Sequence, residues 1–345
     1  ENEFVQDIAA GSKHSLALSS NGVFAWGHGS HGRLGLGHYN AALSPEKVKL
    51  DAILPSKVRS IAAGEAHSAC IDDLRRVYTW GAGSFSRLGH GEEADQPSPR
   101  RVESMSGTLC VEVALGMNQT IARTQQGKLL GWGQGLSVGI LPKSKVSALV
   151  ATPRPILHPK LNDTPCVQVA ASSYATMALL QGGEILIWGS GTSGRLGFAT
   201  HEHEPHPRLL SSILGWTMRP WETRKPSGLL GLNDSRERRD SRDTEANKEN
   251  NEAHSIISKH SGRPMSKAHV ESDVNSQAIV DVDGIIIDGI ADDFKADQSW
   301  HLKSIHCGGM FSVAVTGDDS IYTCGASESG QCGLGNTEDV ELPKR

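Results

Sequence analysis

Apolar and small residues alternate along five short segments of the chain, and the same order of residue types returns in each segment. The segments align without gaps and comprise residues 8–18, 61–71, 113–123, 169–179 and 305–315. In the second half of each segment, large aliphatic residues alternate with small ones. A period of two predicts β-strands and excludes a helical repeat, whose apolar positions would recur every 3.6 residues.

One face of each predicted strand carries only small side chains. The first column contains Ser15, Ser68, Thr120, Thr176 and Ser312, and the second contains Ala17, Cys70, Ala122, Ala178 and Ala314. So small a face predicts that another backbone approaches it closely, as occurs where sheets converge on an axis. We therefore expect this strand to be the one nearest the axis.

Glycine and aromatic residues mark fixed points of the repeat. Its anchors are Gly11, Gly64, Gly116 and Gly308 at the fourth position, then Trp26–Gly27, Trp80–Gly81, Trp132–Gly133 and Trp188–Gly189, with Cys324–Gly325 in the last unit. A Gly-rich loop and a proline-containing stretch follow. Units of about 50 residues with several short strands predict blades of a β-propeller, which must stack because one blade cannot cover its own faces.

These motifs resemble the RCC1 (regulator of chromosome condensation) repeat. The resemblance is strongest in the first unit, where residues 11–18 read GSKHSLAL and residues 26–27 and 32–37 read WG and GRLGLG. It implies an all-β, RCC1-like β-propeller of seven blades. Five blades are recognisable, and residues 333–343 resemble the start of another, so we expect the chain to be a fragment of a longer protein.

The predicted domain organisation is a repeat region with one interruption. Residues 1–215 hold blades one to four, residues 216–300 form a charged insertion that we expect to be largely disordered, and residues 301–345 hold a further repeat. The stretch 236–252 has no apolar residue larger than alanine, so we expect disorder there. Residues 278–287 are apolar and β-branched, which suits either a strand that returns to the propeller or the remnant of a blade.

Composition excludes several classes of protein. The chain contains 38 glycines, as many tight turns require, and its net charge is −5. Most of that charge lies in the insertion, so the repeats give no strong nucleic-acid signal. No run of roughly 18 apolar residues predicts a membrane span. The six cysteines form no C-x-x-C pair, which favours a reducing compartment, the cytoplasm first and the nucleus as the alternative.

Three groups of residues could have either a chemical or a structural role. His14 and His67 recur, but Gln119, Ala175 and Phe311 replace them in other units, so we predict a structural histidine bonded to backbone. The run from His201 to His206 could supply metal ligands, yet it lies in a loop without a rigid element. Arg33, Arg87 and Arg195 recur at one position, which favours packing between blades over ligand binding.

The cysteines offer no nucleophile. Cys110 and Cys166 occupy a strand position where other units carry valine or leucine, and Cys70 and Cys332 also fall on repeat positions. None of them is paired in the sequence with a neighbouring base. We therefore predict no catalytic residue, no cofactor and no metal in this chain.

Three functions stay open at this point. The first is a non-catalytic scaffold that binds a protein partner through the loops at one end of the propeller. The resemblance adds two alternatives: guanine-nucleotide exchange on a Ran-like small GTPase, and the substrate-binding arm of a HERC-like ubiquitin ligase. Neither the wedge nor the basic tail of the founding RCC1 protein is recognisable in the sequence.

Overall fold

The described part of the chain consists of five four-stranded antiparallel sheets. The structure is a computed structural model, and it describes residues 4–50, 57–145, 147–210 and 302–345. In every sheet the four strands follow one another in chain order. The expected all-β architecture with five RCC1-like blades is therefore confirmed.

The strands have closely similar lengths in all five sheets. The first sheet contains β1 (Val5–Ala10), β2 (His14–Ser19), β3 (Gly22–Gly27) and β4 (Ala42–Lys47). The second contains β5 (Val58–Ala63), β6 (His67–Asp72), β7 (Val77–Gly81) and β8 (Gln96–Arg101). The third contains β9 (Cys110–Leu115), β10 (Gln119–Thr124), β11 (Leu129–Gln134) and β12 (Leu149–Ile156). The fourth contains β13 (Cys166–Ala171), β14 (Ala175–Leu180), β15 (Ile185–Gly189) and β16 (Glu204–Leu209). The fifth contains β17 (Leu302–Cys307), β18 (Phe311–Thr316), β19 (Ile321–Gly325) and β20 (Val340–Lys344).

Helices are confined to short pieces in the connections. They are α1 (Gly135–Val138), α2 (Pro159–Asp163) and single 3₁₀ turns at Ser30–Gly32, Ser84–Ser86, Glu103–Met105, Lys143–Lys145 and Thr192–Gly194. The turns after β3, β7 and β15 each contain a non-glycine residue with positive φ, namely His31, Phe85 and Ser193.

Successive sheets converge along their first strands. β1 contacts β5, β5 contacts β9, β9 contacts β13 and β13 contacts β17. The small column lies on the second strand, β2 in the first sheet, so the prediction that this strand lies nearest the axis is wrong. The expected close backbone is present nevertheless: it belongs to a loop of the preceding sheet, as the hydrogen bonds of Ser68 and its equivalents show.

Stacking of the sheets buries both faces of the second strands in the middle of the array. Every residue of β6 and of β14 is buried. In β2, by contrast, Ser15 and Ala17 are only half-buried. The large face of β2 packs into the next sheet, where Leu16 and Leu18 share one apolar cluster with Trp80. Most core residues therefore lie between sheets.

A glycine stands at or next to the end of the third strand of every sheet because the backbone there is left-handed. These five glycines, Gly27, Gly81, Gly133, Gly189 and Gly325, have φ between +106° and +120°. In the fourth sheet, a Cβ at Gly189 would lie 2.3 Å from the carbonyl oxygen of Tyr174. Both the conformation and the space therefore require glycine.

Ala122 tests how tightly the sheets are packed. Its side chain is fully buried between the second and third sheets, in one cluster with Val77, Trp132 and Val138. The change Ala122→Leu should lower the free energy of unfolding by about 1–3 kcal/mol, because the added methylenes have no space. Urea denaturation measures this loss, and an unchanged midpoint would contradict the packing.

The expectations for the insertion fall outside the described residues. They concern disorder around residues 236–252 and a strand or blade remnant at 278–287, and both lie in the gap between residues 210 and 302. They stay predictions.

Candidate functional site

A set of backbone carbonyl groups joins each sheet to the next. We call them the acceptor carbonyls; they belong to Arg33, Arg87, Ser137 and Arg195, in the loop after the third strand. Each accepts two hydrogen bonds from the following sheet. At the first, the Ser68 hydroxyl and the Trp80 indole donate to the Arg33 oxygen over 2.8 and 3.0 Å.

The same arrangement recurs at the other three contacts between sheets. Thr120 and Trp132 donate to Arg87, Thr176 and Trp188 donate to Ser137, and Ser312 and the Cys324 thiol donate to Arg195. Thus each hydroxyl residue and the anchor residue paired with it across the second and third strands donate to one atom. Sequence reasoning missed these carbonyls because a backbone oxygen leaves no residue-type signal.

The side chains of the three repeat arginines, Arg33, Arg87 and Arg195, donate hydrogen bonds to backbone carbonyl groups. The Arg33 guanidinium donates to the carbonyl oxygens of Ser30 in its own loop and Glu65 in the next sheet, both over 3.0 Å. Arg195 is 1% exposed, donates to Thr192 and lies against the Tyr174 ring. Burial lowers the pKa of all three repeat arginines. Only Arg33 bonds the next sheet in this way, whereas Arg87 and Arg195 donate to Ser84 and Thr192 in their own loops, so packing between blades stays a prediction for these two.

His14 and His67 reach the hydroxyl groups of the following sheet. His14 Nε2 lies 2.8 Å from Ser68 Oγ, and His67 Nε2 lies 2.9 Å from Thr120 Oγ1. Both imidazoles are buried, and burial is the main reason why their pKa values are lowered, that of His14 to about 4. The predicted structural role agrees with this position, but the partner is a hydroxyl group rather than backbone.

The histidine run after residue 200 does not converge on one point. His201 bonds Glu341 of the fifth sheet over 3.0 Å, whereas His203 Nδ1 accepts the Gly191 N–H over 3.2 Å. Throughout residues 4–50, 57–145, 147–210 and 302–345, no group of three or more His, Cys, Asp or Glu side chains could hold a metal ion.

The cysteines are free thiols, and five of the six are buried. Burial raises the pKa of Cys110, Cys166 and Cys324 to about 12. A thiol with so high a pKa is almost entirely protonated at neutral pH, which makes it a poor nucleophile. Their surroundings are those of small apolar residues in a core.

Among the connections that the structure describes, the longest lie at one end of the array, which we call the loop end. The strands are antiparallel, so the turns after the first strands and the loops after the third strands share this end. Neighbouring loops are linked: His31 contacts Asp95 over 2.8 Å, and Asp95 also accepts the Gly83 N–H within its own loop.

Each turn at the loop end has the same backbone but a different side chain. The turn residues are Lys13, Ala66, Asn118, Tyr174 and Met310. The carbonyl oxygen of every one accepts an N–H from the residue that follows the left-handed glycine of the third strand, over 2.8–3.0 Å. Tyr174 and Met310 are 37% and 41% exposed, and Phe85 and Tyr39 add exposed aromatic surface in the loops. A constant backbone that carries different exposed side chains suits recognition of a partner.

Among the described residues, no helix is long and apolar enough to cross a membrane.

The blades and their repeated contacts define a β-propeller array of the RCC1-like class. Residues 20–71, 76–123 and 318–345 match the Regulator of chromosome condensation (RCC1) repeat, and residues 5–33 match a second family of the same description. These parts of the chain are therefore RCC1 repeats.

The curated relatives that share these repeats are longer than this chain. The chain is 33% identical to the human E3 ubiquitin-protein ligase HERC2 over 220 residues, which cover 62% of this chain and 4% of HERC2. It is 28% identical to the Arabidopsis thaliana ultraviolet-B receptor UVR8 over 210 residues, 61% of this chain and 46% of that protein. The chain thus spans less than half the length of either relative.

Solved structures show the same fold. Human WBSCR16 superposes with a TM-score of 0.68 at 19% identity, covering 99% of this chain and 67% of that one. Prp20p from Saccharomyces cerevisiae, a protein with binding properties to Gsp1p and histones, gives 0.65 at 20% identity, covering 99% and 63%. Identities this low support the fold and nothing more.

Proposed function

We propose that this chain is a non-catalytic scaffold that binds a protein partner through the loop end. The observation that carries the proposal is the series of turn residues with one backbone hydrogen bond and five different side chains. The acceptor carbonyls recur at all four contacts between sheets, so they specify the fold. At the loop end, exposed side chains such as Tyr174 and Met310 differ from unit to unit on a backbone that is held in place, and they could recognise a partner.

The candidate partners are a small GTPase or a ubiquitination substrate. HERC2, with which the chain shares 33% identity, is a ubiquitin ligase, and this supports the substrate-binding arm as one alternative. Nucleotide exchange on a Ran-like GTPase is the other alternative; Prp20p, which has binding properties to Gsp1p, shares the fold with this chain. We place the cytoplasm first as the compartment and the nucleus second.

Nucleotide exchange is the alternative that an assay decides most directly. Catalytic amounts of the chain should leave the release of a fluorescent guanine nucleotide from Ran at its intrinsic rate, because near-neutral blades give no sign of strong electrostatic steering. A dedicated exchange factor serves as the positive control. Stimulation comparable to that control would overturn the scaffold proposal in favour of exchange.

The location of the surface has its own test. For a partner that co-purifies with the chain, the double change Tyr174→Ala and Met310→Ala should raise the dissociation constant at least about tenfold. The matched control is Leu74→Ala, because Leu74 is 55% exposed in the turn between β6 and β7 at the opposite end. Weakening by the control alone would move the surface to that end.

A further inference from the structure

The imidazoles of His14 and His67 are built into the first two contacts between sheets as hydrogen-bond donors. The Ser68 hydroxyl has one proton, and it is directed at the Arg33 carbonyl, so His14 Nε2 must carry the proton that Ser68 accepts. Thr120 stands in the same relation to Arg87 and His67. Each histidine is therefore a neutral Nε2–H tautomer that ends a chain of hydrogen bonds across two sheets.

A proton on the second ring nitrogen, Nδ1, would have no hydrogen-bond acceptor. Nδ1 of both histidines is buried and has no hydrogen-bond partner in the described structure. The His14 ring lies directly against Gly11, where an added Cβ would be 2.4 Å from Cε1. Protonation would create a buried N–H without an acceptor, which costs free energy whatever the charge.

The charged neighbours add to that cost. Arg33 faces His14, and Arg87 and Arg33 face His67, so each imidazolium would form beside a guanidinium. His14 and His67 would also repel each other. The nearby carboxylates, Glu65 and Asp95, act on the arginines and so only partly offset the positive charge.

We propose that His14 and His67 make the contacts among the first three sheets sensitive to mild acid. Below neutral pH, the protonated rings are accommodated only when these contacts open, so the first three sheets loosen while the contacts from the third to the fifth sheet hold. The contrast arises because Gln119 replaces the histidine in the third sheet and donates to the Ser172 carbonyl over 2.9 Å. An amide group does not titrate in this range.

Linkage between protonation and opening gives the direction and the size of the pH effect on the opening equilibrium. The pKa of His14 is lowered from 6.5 to about 4, so the open state binds more protons and closure weakens as pH falls through this interval. Between pH 7 and pH 5 the opening equilibrium at the first contact should rise about 20-fold. The effect of His67 has the same direction.

Amide hydrogen exchange at pH 7 and pH 5, corrected for the intrinsic exchange rate, measures the opening. Protection of β2 and β6 amides should fall at pH 5 by about 20-fold more than that of β14 amides. The double variant His14→Gln, His67→Gln copies the residue of the third sheet and should remove most of this difference. His90, whose pKa is also lowered to about 4, is kept in both proteins, so its contribution is the same in both.

Two results would overturn the proposal: equal loss of protection in β2, β6 and β14, or an unchanged pH response in the double variant. If that variant fails to fold, nuclear magnetic resonance of the unaltered chain decides. Imidazole nitrogen shifts should show His14 as the neutral Nε2–H form down to about pH 5. Titration of its ring near pH 6.5 in the folded state would refute the inference.

Discussion

Replacing Trp132 by alanine should lower the free energy of unfolding by about 3–5 kcal/mol. The indole is fully buried between the second and third sheets and packs with Val77, Ala122 and Val138. Its removal leaves a large cavity. It also takes one of the two donors from the Arg87 acceptor carbonyl, which then keeps only Thr120.

Two further variants separate packing from hydrogen bonding. Trp132→Phe retains most of the apolar contact and loses the Nε1 donor, so its cost should be smaller, about 1–3 kcal/mol. Trp26→Ala changes the equivalent residue of the first sheet, which is only half-buried, and should cost less than half as much as Trp132→Ala. Equal losses for Trp26 and Trp132 in urea denaturation would show that burial between sheets is not the source of the stability.

The strands and the number of sheets were predictable from the sequence because they depend on local patterns. Period-two alternation places each strand, and the glycine after each aromatic anchor marks the end of the third strand. The first and second strands lie in one aligned segment of the repeat. The sequence alone therefore does not separate them, and it predicts the small column on the strand nearest the axis. That column faces a loop instead, since it is the Arg33 carbonyl that comes close to Ser68.

The third unit shows why the acceptor carbonyls could not be predicted. Its loop lacks the arginine motif and forms α1 instead, yet Ser137 supplies the same oxygen to Thr176 and Trp188. Any residue type can place a backbone carbonyl there. The histidine partners were missed for a related reason: alignment sets Ser68 beside Ser15, whereas in space Ser68 lies beside His14 of the preceding unit.

The change Gly189→Ala should be about as damaging as the loss of a core tryptophan, although it adds only one carbon atom. Gly189 has φ of +119°, which an alanine adopts only with strain. Its new Cβ would also lie 2.3 Å from the Tyr174 carbonyl oxygen and 2.7 Å from Ala175 Cα, both of them backbone atoms that cannot swing away. We expect a loss of at least about 3 kcal/mol in the free energy of unfolding.

Gly182 in the same sheet is the matched control for this change. It lies in the turn between β14 and β15, and an added Cβ would have no atom within 4 Å. Gly182→Ala should therefore shift stability by less than about 0.5 kcal/mol, or raise it slightly by restricting the unfolded chain. Chemical denaturation of the two variants beside the unaltered chain provides the comparison. If Gly189→Ala were as stable as Gly182→Ala, the left-handed backbone and the close backbone contacts at Gly189 would not contribute to stability as we expect.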